Sequence, residues 1–333
     1  MEKNGQLTFS DDPLIKDING IYLLIENGQF SEAVEKLDPL LDEDPDYPGL
    51  ISAYRTARFW HNRDDKLKKL PEGKETANFL MEEWQLYEEY AESKAMKEST
   101  AYTAVMKRIF SVASENYRLS YRRRELSNAD NYDLLLKLGS CFLRLEDYQK
   151  TVDTLEFAKS SYNPDGRLLF ILAEAYYHLN DIPKSLLYFR EGFLIDPGQA
   201  DLTAIKAKPI LELREIASAG KKDSPDIREW MPVYGYVNDI FYVRRNISKN
   251  TVDTLSSELF NLEKSYVSMS AEQIAKSSIL PRIINKYLWL LDFYEYQSYN
   301  YENISQIRER LIKLEPVIFK EYFARKSTLD RLR

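Results

Sequence analysis

Cysteine occurs once in the 333 residues, at Cys141, so the chain can form neither an intrachain disulfide nor a thiolate metal cluster. Histidine is almost as scarce, and only His61 and His178 could supply an imidazole. There is no Gly-rich phosphate loop, His-Glu-x-x-His, Cys/His metal spacing or nucleophile elbow. No catalytic residue, cofactor or metal is therefore expected. Cys141 lies in an apolar helical stretch and reads as a small buried hydrophobe. His178 falls at the end of a predicted helix, where terminal carbonyls account for it. Eleven glycines and 13 prolines are too few for the turns of an all-β fold. No run approaches the roughly 18 apolar residues of a membrane span. The opening Met1-Glu2-Lys3-Asn4-Gly5-Gln6 lacks the apolar core of a signal peptide, so a reducing, cytoplasmic setting is expected if no leader has been removed.

Hydrophobic residues at 44% and charged residues at 30% suit a water-exposed globular chain, long enough for two domains or one solenoid. Acidic residues outnumber basic ones, giving a net charge of -7. That balance opposes general polyanion binding, which depends on clustered Lys and Arg, and nucleic acid is disfavoured as a partner. Apolar residues recur every three to four positions along most of the chain, which predicts an all-α fold.

Self-similarity is strongest between the segments beginning at Asn131 and Asp165, an offset of 34 residues. Leu135, Leu138, Gly139 and Phe142 correspond to Leu169, Leu172, Ala173 and Tyr176, one large-small-aromatic stripe per helix. A turn follows at Glu146-Asp147 and at Asn180-Asp181, where each Asp can cap the next helix. Leu155 and Ala158 then match Phe189 and Gly192, and Pro183 sits in a first helical turn, where its missing N–H costs nothing. Gly139, Ala158, Ala173 and Gly192 read as packing positions where paired helices cross closely.

From Leu169 to Pro197 this pattern resembles the tetratricopeptide repeat family, with its large residue, small residue, aromatic and closing proline. Copies are assigned to residues 131–163 and 164–197. A weaker copy at 17–45 runs through Leu24, Gly28, Phe30, Ala33, Leu37 and Pro45, although Gly20-Ile21 reverses the large-small order, and a degenerate pair lies within 47–95. The expected architecture is a helix-turn-helix solenoid over residues 1–220, with an additional helical domain, 221–333, packed against it. The Ala219 to Ser224 stretch is the joint. Individual helices are expected at 47–60, 75–95, 100–125, 202–219, 225–245, 251–268, 271–297 and 301–326, the last bent at Pro316.

The resemblance implies that the first helix of each pair lines a concave groove. On that side lie Leu136, Ser140, Leu143, Arg167, Phe170, Glu174 and Tyr177, the candidate partner-binding residues. Exposing the four large apolar or aromatic ones forfeits about 1.5–3 kcal/mol each, so something should cover them. The cover is either the chain's own C-terminal helices or a peptide or apolar ligand. The Lys, Asn and Arg set with which some family members grip chaperone tails is missing. Arg118, Arg122, Arg123 and Arg124, interleaved with Tyr117 and Tyr121, form a candidate anion patch, or else a solvated helix end. The tyrosine-rich run from Tyr294 to Tyr301 reads as a binding surface or as a helix end and turn. The leading expectation is a noncatalytic scaffold or adaptor holding a protein or peptide partner. The alternative is a binder of an apolar small molecule in a cavity between groove and C-terminal helices, and a third is an RNA-associated repeat protein.

Overall fold

The computed structural model describes residues 13–45, 49–123, 127–221 and 224–332. Among these the secondary structure is helical, with sixteen α-helices and no strand. No helix among the described residues is long and apolar enough to cross a membrane. The chain forms two compact units, 1–162 and 163–333. The division falls between the two strongest repeat copies rather than at Ala219 to Ser224, which lies inside the second unit.

The first unit comprises α1 (Pro13–Asn27), α2 (Phe30–Glu43), α3 (Leu50–Leu67), α4 (Lys74–Ser93), α5 (Thr100–Arg123), α6 (Asn128–Arg144) and α7 (Tyr148–Ser161). α5 is central and packs against α1, α3, α4 and α6. That many neighbours require a wide apolar face, and α5 buries Tyr102, Val105, Ile109, Phe110, Ala113 and Tyr117 together. α3 continues past Trp60 to Leu67, further than the sequence suggests, because its charged C-terminal turns have a use. Arg63 lies over the Phe59 ring at 3.4 Å, bonds the Phe59 carbonyl and pairs with Glu83 at 2.6 Å.

The second unit comprises α8 (Gly166–His178), α9 (Ile182–Ile195), α10 (Lys208–Gly220), α11 (Met231–Val237), α12 (Lys249–Ser268), α13 (Ala271–Ala275), α14 (Ile279–Asp292), α15 (Tyr301–Leu314) and α16 (Pro316–Leu332), with a π-helical turn at Phe293–Gln297. α14 is its hub, packing on α11, α12 and α15. Three expected long helices are broken here. Residues 225–245 hold a 3-10 turn at Ile227–Glu229 and then α11, which ends at Asn238 before Asp239 turns left-handed at φ 57°. Residues 271–297 divide at Ser277-Ser278. Pro316 separates two helices instead of bending one, because a residue before proline is pushed out of the helical region: Glu315 sits at φ -144°, ψ 78°. α10 starts later than expected because Asp201 and Glu174 bind the backbone of the preceding loop.

The hairpins α6–α7 and α8–α9 close with the same turn. Glu146 and Asn180 adopt φ 59° and 62°. The N–H groups of Leu145, Glu146 and Asp147 bond the carbonyls of Cys141, Leu143 and Phe142, and those of Leu179, Asn180 and Asp181 bond Ala175, Tyr177 and Tyr176. This is a Schellman-type ending, and it satisfies carbonyls that the helix leaves open. Asp147 and Asp181 then accept from the N–H groups of Lys150 and Lys184, capping the second helices as the sequence indicates. α1–α2 turns in the same way at Gly28, φ 78°, with Gly28 and Gln29 N–H bonding Ile25 and Leu24.

Candidate interaction surfaces

The seven groove candidates are divided by burial. On α6, Leu136 is buried, while Ser140 and Leu143 are half-buried, and the Ser140 hydroxyl bonds the Leu136 carbonyl at 3.0 Å. On α8, Arg167 is exposed and forks onto Asp165, and Tyr177 is half-buried. Phe170 and Glu174 are inside. The Phe170 ring lies 5.0 Å from Phe193 and 6.3 Å from Phe189, and a Cβ on Gly192 would meet it at 2.8 Å. Glu174 accepts from the N–H groups of Lys206 and Ala207 at 2.7 and 3.2 Å and pairs with His178 at 3.1 Å. A carboxylate holding two loop N–H groups is a structural clamp. Ser140 and Leu143 in the first unit, and separately Arg167 and Tyr177 in the second, keep part of their side chains at the surface.

Gly139 and Gly192 are slots of opposite sense. A Cβ at Gly139 on the first helix of its hairpin would strike Leu155 at 2.5 Å, whereas Gly192 lies on the second helix of its hairpin and receives Phe170 from the first. Both admit close helix crossing, as their small size implies.

In the candidate anion patch Arg118, Arg122 and Arg123 are exposed, and Arg123 bonds the Glu72 carbonyl at 3.0 Å. Arg124 lies outside the described residues. The rings that would stack on bases turn inward: Tyr117 is fully buried with its hydroxyl on Asn78, and Tyr121 packs edge-on against Phe157. Arginine and tyrosine in this run occupy opposite faces of α5. Cys141 is buried, and burial pushes its thiol up to about 12. At pH 8 only roughly one part in ten thousand is then thiolate. Alkylation by iodoacetamide at that pH is expected to be negligible in the folded protein and complete in denaturant. Rapid labelling of the folded chain would contradict the burial.

Sequence reasoning missed a polar cluster in the second unit. Asp292, at the end of α14, accepts from Arg190 of α9 at 2.6 Å, from the Tyr236 hydroxyl of α11 at 3.1 Å and from Arg244 at 3.3 Å. Arg190 is buried, lies 4.4 Å from the Trp289 ring and donates to the Val243 carbonyl. Burial, and then the Asp292 charge, raise the Tyr236 phenol well above its ordinary value, which keeps its proton on the shared bond. Beyond Asp292 two more polar side chains tie the π-turn to neighbouring segments. Glu295 receives Arg308 at 2.6 Å and Lys326 at 2.7 Å, and Gln297 grips the N–H and carbonyl of Ile247. Burial is the largest single influence on the Lys326 ammonium and would lower it, but the bond to Glu295, the Glu295 charge and the nearby Tyr322 and Tyr296 together hold it above its ordinary value. The available signal was charge inside an apolar helix: Arg190-Glu191 within Leu-Tyr-Phe-Arg-Glu-Gly-Phe, and Asp292 after Leu-Trp-Leu-Leu.

The π-turn also turns tyrosines outward. Tyr296, Tyr299 and Tyr301 are 54%, 74% and 73% exposed, so the tyrosine-rich run is half anchor and half surface. A separate cleft of about 390 Å³ lies between the end of α9, α12 and α14. Its apolar wall includes Phe193 and Leu262, and its polar wall includes Asn261, Asn285 and Lys286. Asn285 fixes α14 to α9 by donating to the Phe193 carbonyl at 3.0 Å. No protein-family model, curated protein or solved structure matches this chain.

Proposed function

We propose that the chain is a noncatalytic adaptor that holds a protein partner on tetratricopeptide-like helical hairpins. The observation that carries this reading is the recurrence, 34 residues apart, of one hairpin with the same left-handed turn residue, the same three backbone bonds and the same aspartate cap, at α6–α7 and α8–α9. Hairpins of this kind present first-helix side chains to partners. Each hairpin offers its own patch: Ser140 and Leu143 on α6, and Arg167 and Tyr177 on α8. Affinity capture from the native lysate tests it. Leu143→Asp and Tyr177→Asp, each with helicity and melting preserved, are expected to lose at least about tenfold of the captured partner, the loss typical of an interface anchor. Capture unchanged in both variants removes these two patches from the reading.

The cleft between α9, α12 and α14 favours a second reading, a binder of a small molecule with one apolar and one polar side. Native mass spectrometry of the freshly purified chain is expected to show an added mass on that reading, and a mass equal to the bare chain counts against it.

A further inference from the structure

We infer that the surface formed by Arg244, Arg245 and Tyr296 of the π-turn docks an acidic peptide segment of a partner protein. The inference rests on the reading of the chain as a binding protein but not on the patches of α6 and α8.

The carboxylates that hold these arginines lie beneath the surface. Asp292 and Glu191 side chains are 10% and 11% exposed, whereas those of Arg244 and Arg245 are 45% and 50% exposed. Arg245 engages Glu191, and Arg244 gives its Nε–H to Asp292. A guanidinium carries five donors in a fixed fork, so the outer edge of Arg244 remains suited to a second carboxylate. The local outward charge is positive on a chain whose overall charge is -7.

A ring adjoins this edge. Arg244 lies over Tyr296 at 3.9 Å, Tyr296 is 54% exposed, and both line one small cleft with Arg245. Exposed tyrosines give contact area with few torsions to freeze. The surface is also preformed. Gln297 clamps the backbone of Ile247 at 2.9 and 2.7 Å, and Arg190 holds the Val243 carbonyl, so docking would order little new chain.

A peptide suits the site better than a nucleic acid. Polyphosphate affinity grows with the number of phosphates neutralised, and two arginines on an acidic chain neutralise few. Arg244 also occupies one face of Tyr296, where a base would stack.

The test measures fluorescence anisotropy with the intact chain and three labelled probes: a twelve-residue peptide of Glu-Glu-Leu repeats, its Lys-Lys-Leu counterpart and a twelve-nucleotide oligothymidylate. The acidic peptide is expected to bind at low salt and the basic one not to. Arg245→Gln, and separately Tyr296→Ser, should each weaken it by about tenfold, while Arg118→Gln with Arg122→Gln leaves it unchanged. Absent binding of the acidic peptide, tighter binding of oligothymidylate, or loss confined to the Arg118 and Arg122 variant would each overturn the inference. The Leu143 and Tyr177 variants should not alter this binding, so failure here is distinguishable from failure of the hairpin surface.

Discussion

Replacing Asp292 with alanine is expected to destabilise the 163–333 unit by about 3–5 kcal/mol, the cost of stranding one partner of a buried ion pair. Arg190 is 3% exposed, and without Asp292 it would keep, among the described residues, the Val243 carbonyl and the faces of Trp289 and Tyr236. The Tyr236 hydroxyl would lose its acceptor in the same step. Urea unfolding followed by hydrogen-exchange mass spectrometry resolves the effect: peptides from 163–333 should lose protection at lower denaturant while those from 13–162 keep theirs. Combining Asp292→Ala with Arg190→Met should recover at least half of the loss, because apolar replacement of a whole buried pair is often neutral. A single variant within about 1 kcal/mol of the parent would mean that Arg190 finds another anion or water.

The helical hairpins were legible because their signals are local. Asp147 and Asp181 stand where caps are needed, Pro183 stands where an N–H is dispensable, and Gly139 and Gly192 mark close crossings. What local signals cannot choose is the side to which a large residue turns. Phe170 lies at a position open, by helical period, to either the groove or the second helix, and the slot at Gly192 decides for the second helix. Glu174 appears as a plain polar residue until the loop at Lys206 and Ala207 returns to place two N–H groups against it. Arg190 and Asp292 are each conspicuous inside apolar helices, but their pairing spans 102 positions, and no periodicity carries that information. The breaks after α11, before α14 and at Pro316 have a different origin. Apolar period persists across them, so the pattern reads as continuous where backbone geometry is not.

Trp60 marks a place where the first unit concentrates its packing, and Trp60→Ala is expected to cost about 3–5 kcal/mol there. The side chain is 2% exposed and is surrounded by Phe30, Phe59 and Tyr87 at ring separations of 6.3, 5.5 and 5.7 Å. It couples α2, α3 and α4, so a cavity there loosens three helices at once. Trp60→Phe separates volume from polarity. The indole N–H is buried with no hydrogen-bond partner among the described residues, a defect of about 1–3 kcal/mol that phenylalanine removes. The smaller ring leaves a partial void, which costs in the other direction, so the net change should stay below about 2 kcal/mol. Denaturant midpoints for the two variants test this directly. If phenylalanine proves as damaging as alanine, the N–H is bonded to ordered water and tryptophan is required there for its polar edge as well as its size.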